Sequence, residues 1–444
     1  MYNIMRVVKN LGEEADYVDY IEYSENTIEI AYRRGSLEVN YSNPTVYALR
    51  LMKNFKWYIK SSTDPKRLIE DASAYVRFIE YAKYARDKNY SRPNIYNKYL
   101  AVGKYSLVNS KGIDENKGID ILQSLRNIVY DYSKGVADLE CILIHSLIRR
   151  SITPYATFST ALEEKSIIEL YINIIYNGGF SVISSDSIGF LGGLEDITLS
   201  MLRKRVIKLV ERAKALQRAQ RLGVLDRGLK HNVVLDPTCS ASLFHEVVHL
   251  LEADSPSKIK LGTKIFSDEV TLTDDPTLPW GYASSLFDDE CVVTKPKRLI
   301  ENGYVVDYLH IIETANPPEN YPGNARGLFH KPKALQSNII VRPGDWKVDE
   351  MVKEARRGFY VEGLIRAEID NYGNITIIPE IAWNIEKGEL KRAVKISYLK
   401  LSLANLRKAI IGLGREVQCR VSYEKTHRVS EYAPPILLSG VFIV

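Results

Sequence analysis

The chain is poor in cysteine, and its cysteines are not spaced to act together. Cys141, Cys239, Cys291 and Cys419 are the four in 444 residues, and no two have C-x-x-C spacing. That excludes a disulfide framework and a zinc ribbon. No stretch is apolar and long enough to span a membrane; the best run, Ile167 to Tyr176, is broken by Glu169 and Asn173. Met1 to Asp19 carries acids early and lacks the apolar core of a signal peptide. A cytoplasmic protein without a membrane partner is the expectation. An excess of one charge is also missing, since 60 basic residues face 55 acidic ones, a net +5. Short basic clusters such as Arg203-Lys204-Arg205 read as a solvated helix face, so nucleic acid is not an expected partner. There is no internal repeat and no low-complexity segment. The 45% hydrophobic and 26% charged content is that of a soluble globular protein, and the length calls for two or three domains.

The first part, residues 1–228, reads as an α+β domain. Ile28, Ile30 and Tyr32 alternate with polar residues, Arg34-Gly35-Ser36 turns, and Leu37 and Val39 resume the alternation, which predicts a hairpin. Asp64-Pro65 offers a cap and first-turn proline for a helix carrying Leu68 through Ile79. A second helix is predicted from Ile119 to Tyr132, then three β-rich stretches between Leu139 and Tyr176. A long amphipathic helix follows, with Leu199, Leu202, Val206, Leu209, Val210, Ala213 and Leu216 at helical spacing. The polar stretch Arg221 to His231 marks a boundary. The second part, residues 229–444, reads as largely β with an inserted metal-binding helix. It starts with a strand, Asn232 to Leu235, and a turn at Asp236-Pro237. Ser240 or Ser242 is the predicted helix cap, with Asp254-Ser255-Pro256 as the stop. Ile375 to Ile378 and Ile381 to Ile385 predict two strands joined near Pro379, and Leu401 to Ile411 a helix.

The chemistry sits in Phe244-His245-Glu246-Val247-Val248-His249-Leu250-Leu251-Glu252. This is H-E-x-x-H in a chain with only seven histidines. Residues four apart share a helical face, so both imidazoles reach one divalent ion, and Glu246 is placed beside it as a general base. A catalytic zinc usually takes a third protein ligand. The extended H-E-x-x-H-x-x-G-x-x-H form is absent. By residue type the candidates are Glu252, Glu269, His310, Cys419 and His427, and spacing does not choose among them; Glu252 also suits the role of a carboxylate that orients a histidine.

Val234-Leu235-Asp236-Pro237 followed by Leu243 through Asp254 resembles the metal-helix segment of the TldD/PmbA family of metallopeptidases. Similar blocks follow in the same order. They are Asp274-Asp275-Pro276 through Glu290, Leu299 to Gly303, Gly323-Asn324-Ala325-Arg326, Asn338 through Asp345, and Glu380 through Gly388. The resemblance implies that Cys419 is the third ligand beside His245 and His249, holding one divalent metal, zinc by the family's habit, with Glu246 catalytic. It implies a peptide or unfolded-protein substrate and a dimer, either of one chain or with a paralogue. Two departures stand out. The family's H-E-x-x-x-H is one residue shorter here, and its glycine-rich C-G-K stretch is replaced by Cys419-Arg420-Val421. Cys291 stands where the family usually has glycine. The rival expectation is a non-catalytic, metal-stabilised scaffold or regulatory subunit. Asp274, Asp275, Asp288, Asp289 and Glu290 lack the spacing of a known calcium loop and read as solvated turns or a site for a substrate amine.

Overall fold

The computed structural model describes residues 2–84, 97–107, 112–224 and 226–444. The hairpin predicted from alternation is there. Arg34 and Gly35 take φ 51° and 84°, which suits the twist of the flanking strands. They join β1 (Tyr17–Arg33) to β2 (Ser36–Ser42). With β3 (Thr45–Lys53), β4 (Lys56–Ser62), β5 (Gly103–Leu107), β6 (Ala137–Pro154), β7 (Ala161–Tyr176) and β8 (Val182–Leu191) they form one eight-stranded sheet. Its path runs β4-β3-β1-β6-β7-β5, with β2 on β1 and β8 on β7.

Five helices cover this sheet: α1 (Tyr2–Gly12), α2 (Pro65–Glu70), α3 (Ala72–Tyr84), α4 (Glu115–Ser133) and α5 (Leu199–Arg218). Asp64, Asp114 and Thr198 cap α2, α4 and α5 through side-chain oxygens. The predicted stripe of α5 is buried at Leu202, Val206, Leu209, Val210 and Ala213, against α4 and the sheet, while Leu199 in the first turn is exposed and Leu216 in the last is half-buried. At about 1.5–3 kcal/mol for each large aliphatic side chain, this stripe holds the helix far more firmly than its propensity does. Two predictions change. The helix from Pro65 is split at Asp71, whose N–H closes on Ile69 O. Two long strands replace the three stretches between Leu139 and Tyr176, because Leu162-Glu163-Glu164-Lys165 lies within β7. The sheet tolerates Glu163 there because it pairs with Arg150 on β6 and accepts from Leu286 N and Ser285 Oγ.

The second half builds an eight-stranded and a six-stranded sheet. The first contains strands Lys230–Leu235, Arg357–Ile369, Asn374–Glu386 and Ile436–Ile443, and also takes in the short strand Gln220–Arg221. The second contains Leu272–Asp274, Asn338–Val341 and the hairpin Gln418–Glu424 with His427–Ala433. Helix α6 (Pro237–Val248) lies in the core they share. Leu243, Phe244, Val247 and Val248 are buried together with Val233 and Val361 of one sheet and Leu272, Leu299 and Ile339 of the other. The cap expected at Ser240 or Ser242 is instead Asp236, whose Oδ1 accepts from Cys239 N at 2.8 Å. Asp-Pro here is a cap followed by a first-turn proline, not a turn. Ile375 to Ile385 is one strand, because Pro379 sits at a register shift opposite Leu364 and Arg366, where a bulge spares the ladder a missing N–H. The helix predicted at Leu401 to Ile411 is the shorter Leu403–Ala409, followed by a strand, Ile410–Leu413. The architecture is α+β, and no helix among the described residues is long and apolar enough to cross a membrane.

Buried ion pairs join the first sheet to the loops of the second half. Arg50 on β3 is fully buried, pairs with Asp19 on β1, and donates to Gly327 O at 2.6 Å and to Asp289 O. Asp19→Ala leaves that guanidinium buried without its carboxylate and is expected to destabilise the protein by about 3–5 kcal/mol. Urea denaturation measures this, and a loss below about 1 kcal/mol would mean that the pair is not a structural link.

Candidate metal centre

Helix α6 carries His245 and Glu246, and His249 follows as the first residue of a single 3-10 turn, His249–Leu251. Four-residue spacing brings the rings together: their Nε2 atoms are 3.2 Å apart, the rings nearly perpendicular. Glu424, at the end of strand Gln418–Glu424, is the third member. Its Oε2 lies 3.7 Å from His245 Nε2 and 3.6 Å from His249 Nε2. The three ligand-type atoms lie within 4.8 Å of one another.

The far side of each ring is held by another carboxylate. Glu431 Oε1 is 2.6 Å from His245 Nδ1, and Glu252 Oε1 is 2.7 Å from His249 Nδ1. A carboxylate accepting from Nδ1–H fixes the tautomer and leaves the Nε2 lone pair free. The Gln336 carboxamide also reaches His245 Nδ1, at 2.7 Å. Turned to present its oxygen, which otherwise has no partner, it shares that ring proton. Two lone pairs and a carboxylate oxygen thus converge on one point, and only one proton fits between the two Nε2 atoms. This donor set suits a divalent cation such as zinc.

The electrostatics agree with that reading. Burial lowers the His245 pKa, but Glu431 and Glu424 outweigh it and the net shift is upward. Burial also opposes protonation of His249, yet the hydrogen bond to Glu252 and the nearby Glu424 carboxylate raise it to about 10. The same two histidines, both facing its Oε2, hold Glu424 well below the usual carboxylate range. Glu431 is kept low despite its burial by Arg420, at 2.8 Å, and His245. Glu246 shifts the other way: burial raises it, against the pull of the histidines and of the Ile369 amide, which donates to its Oε2 at 3.0 Å.

The residues expected from the sequence divide accordingly. His245 and His249 come together, and Glu246 is near enough for both to lower its pKa while its Oε2 accepts from Ile369 N. Glu252 braces His249. Cys419 does not reach the group: it lies five residues before Glu424 on one strand, so the two face opposite sides of the hairpin. Cys419 instead packs with Ile148, Ile167 and Leu191 of the first sheet, and burial raises its thiol to about 12. Glu269 is exposed, His310 sits by Thr314, and His427 meets His330 edge to face. Sequence reasoning missed Glu424, Glu431 and Gln336. A lone glutamate ending a strand carries no spacing signal, and only the pairing of Arg420 with Glu431 across the hairpin hints that the strand faces something charged. The acidic segment is not solvated. Asp274, Asp288, Asp289 and Glu290 are buried and accept loop amides, Asp288 alone from Glu290, Val292 and Ala325. Cys291 has φ 65°, a left-handed backbone that suits the family's glycine.

Residues 229–444 match the family described as the PmbA/TldA metallopeptidase C-terminal domain. A metalloprotease of Methanocaldococcus jannaschii is 32% identical over 205 residues, 44% of this chain and 45% of that protein. A protein of Saccharolobus solfataricus described as a zinc metalloprotease TldD homolog is 27% identical over 229 residues, 48% of each. The chain thus spans about half the length of these curated relatives. The fold is similar over 100% of both chains to the crystal structure of TldE from Thermococcus kodakarensis, at TM-score 0.79 and 18% identity.

Metal content of purified variants tests the donor set. Glu424→Gln is expected to lower zinc occupancy at limiting zinc by at least about ten-fold, and Cys419→Ala to leave it unchanged. The reverse order would return Cys419 to the ligand set. Protons compete for the same atoms. In chelator-treated protein the pKa of His249 lies above its ordinary 6.5, at about 10. The stability contributed by its protonated form is therefore fully present below pH 6.5 and is lost as pH rises toward 10. Melting temperature should fall across that window, and fall less in His249→Gln.

Proposed function

The chain belongs to the TldD/PmbA family through residues 229–444, and on that premise we propose that it is a metal-dependent peptidase acting on peptides or unfolded protein segments. The observation that carries the proposal is the convergence of two braced imidazoles and one carboxylate, with a further carboxylate, Glu246, beside them. In this reading 1–228 and 229–444 are two domains, and the active assembly is a dimer, of one chain or with a paralogue.

His245, His249 and Glu424 would hold the ion, with zinc the proposed metal. When bound, it supplies Lewis-acid chemistry, polarising a scissile carbonyl and lowering the pKa of water. The chain does the rest. Glu431 and Glu252 keep both Nε2 lone pairs aimed at the ion. Glu246 Oε2 is engaged by the Ile369 amide, which fixes the carboxylate and leaves Oε1 free to take a proton from water and return it to the leaving amine. Burial raises the pKa of Glu246 toward working pH, which favours both directions of transfer. The second reading, a metal-stabilised scaffold without catalysis, keeps the same donor set and dispenses with the role of Glu246.

Glu246→Gln separates the two readings. Zinc content is expected to stay at the wild-type level, while cleavage of an unfolded protein such as reduced casein falls by about 10²–10⁴-fold. Equal cleavage by the variant rules out the general-base role. Zinc bound with no cleavage by wild type supports the scaffold.

A further inference from the structure

A second polar site lies beyond the tip of the hairpin that carries Glu424. A cavity of about 230 Å³ opens there between the first sheet and the second half, and Arg150, Lys165, Arg326 and Arg428 line it together with His330 and His427. Asp289 is the one carboxylate in its wall. Two of the arginines are already engaged. Arg150 pairs with Asp289 and Glu163, and Arg428 with Glu25 and Glu169.

Arg326 is not engaged in this way. It is 7% exposed and its Nη1 donates to Ala325 O at 2.9 Å, while its Nη2 is buried with no partner. It has no ion-pair partner among the described residues. His427 Nε2 is likewise buried without a partner. A guanidinium kept from water with one end unpaired is costly, and the cost is removed by an anion that accepts from it. Lys165 adds a second cation to the wall, although its Nζ already donates to Ser284 O at 3.3 Å and lies 3.6 Å from Glu163 Oε2.

The cavity is also placed to serve the metal centre. His427 is the direct cross-strand partner of Glu424, and Thr426, in the turn between them, lines the cavity.

We propose that this cavity is a carboxylate pocket, in which Arg326, helped by Lys165 and His427, binds a carboxylate of the peptide substrate. The proposal rests on the peptidase reading for its ligand but not for its measurement. Two sources share the chemistry, the free C-terminus of a peptide and an aspartate or glutamate side chain.

The test uses zinc-loaded Glu246→Gln protein and three fluorescein-labelled peptides of one sequence: the free acid, its C-terminal amide, and the amide with one glutamine replaced by glutamate. Fluorescence anisotropy is expected to show at least one acidic form binding about ten-fold tighter than the neutral amide, and which form does so names the source. Adding Arg326→Gln is expected to shrink that advantage to under about two-fold. Lys165→Met serves as the second variant if Arg326→Gln melts abnormally, and is expected to reduce the advantage in the same direction. Equal binding of all three peptides overturns the proposal without any variant, as does an advantage that survives both substitutions. A binding advantage with no cleavage of any peptide by wild type would keep the pocket and remove the peptidase. Cleavage of acidic and neutral peptides with equal KM would do the opposite.

Discussion

The Glu431 carboxylate is fully buried, and both of its oxygens are committed, Oε1 to His245 and Oε2 to Arg420. Either bond alone would leave half of a desolvated anion unsatisfied. Together they fix three things: the tautomer of His245, the approach of helix α6 to the hairpin, and the face of strand Gln418–Glu424 that looks toward the helix. Arg420 and Glu424 are two and four residues along from Gln418, so they share that face. Once Arg420 is pinned on Glu431, Glu424 follows to the two Nε2 atoms. The candidate metal group is thus a consequence of one buried carboxylate and the period of a β-strand.

The same requirement shapes the rest of the second half. Residues 275–335 contain little regular structure, and a loop region of that length cannot satisfy its buried amides by ladders alone. Here carboxylates do it. Asp274 accepts from Ser337 N and Oγ and from Asn324, Asp288 from three amides, and Glu290 from Ile312 N. Asp289 ties the region to the first sheet through Arg150. Acidic residues that look like surface in the sequence are internal scaffold, and the cavity lined by Arg326 is where this scaffold runs out of carboxylates.

How much was legible follows from whether a signal is local. The hairpin at Arg34-Gly35, the stripe of α5 and the pair His245 and His249 each rest on spacing within a few residues, and each is found. Glu163 and Pro379 misled the reading of strands because their justification lies elsewhere, in Arg150 on the next strand and in a bulge opposite. Glu424 and Glu431 could not be found by spacing at all, since about 180 residues separate them from the helix they serve. The resemblance located the right hairpin but pointed to Cys419, on its other face.

That difference has a physical source in the shortened motif. On a regular helix each residue advances about 100°, so a four-residue step brings the second histidine to about 40° from the first, and a five-residue step to about 140°. An ion held by both histidines would therefore sit on a different side of α6 when one residue is removed. A ligand from the hairpin must then come from whichever strand face now looks at that side. Because successive side chains alternate, a change of facing exchanges every odd residue of the strand for every even one. Cys419, Val421 and Tyr423 go to the first sheet, and Arg420, Ser422 and Glu424 to the helix. On the proposed donor set, the loss of one helical residue and the exchange of a thiolate for a carboxylate are a single change.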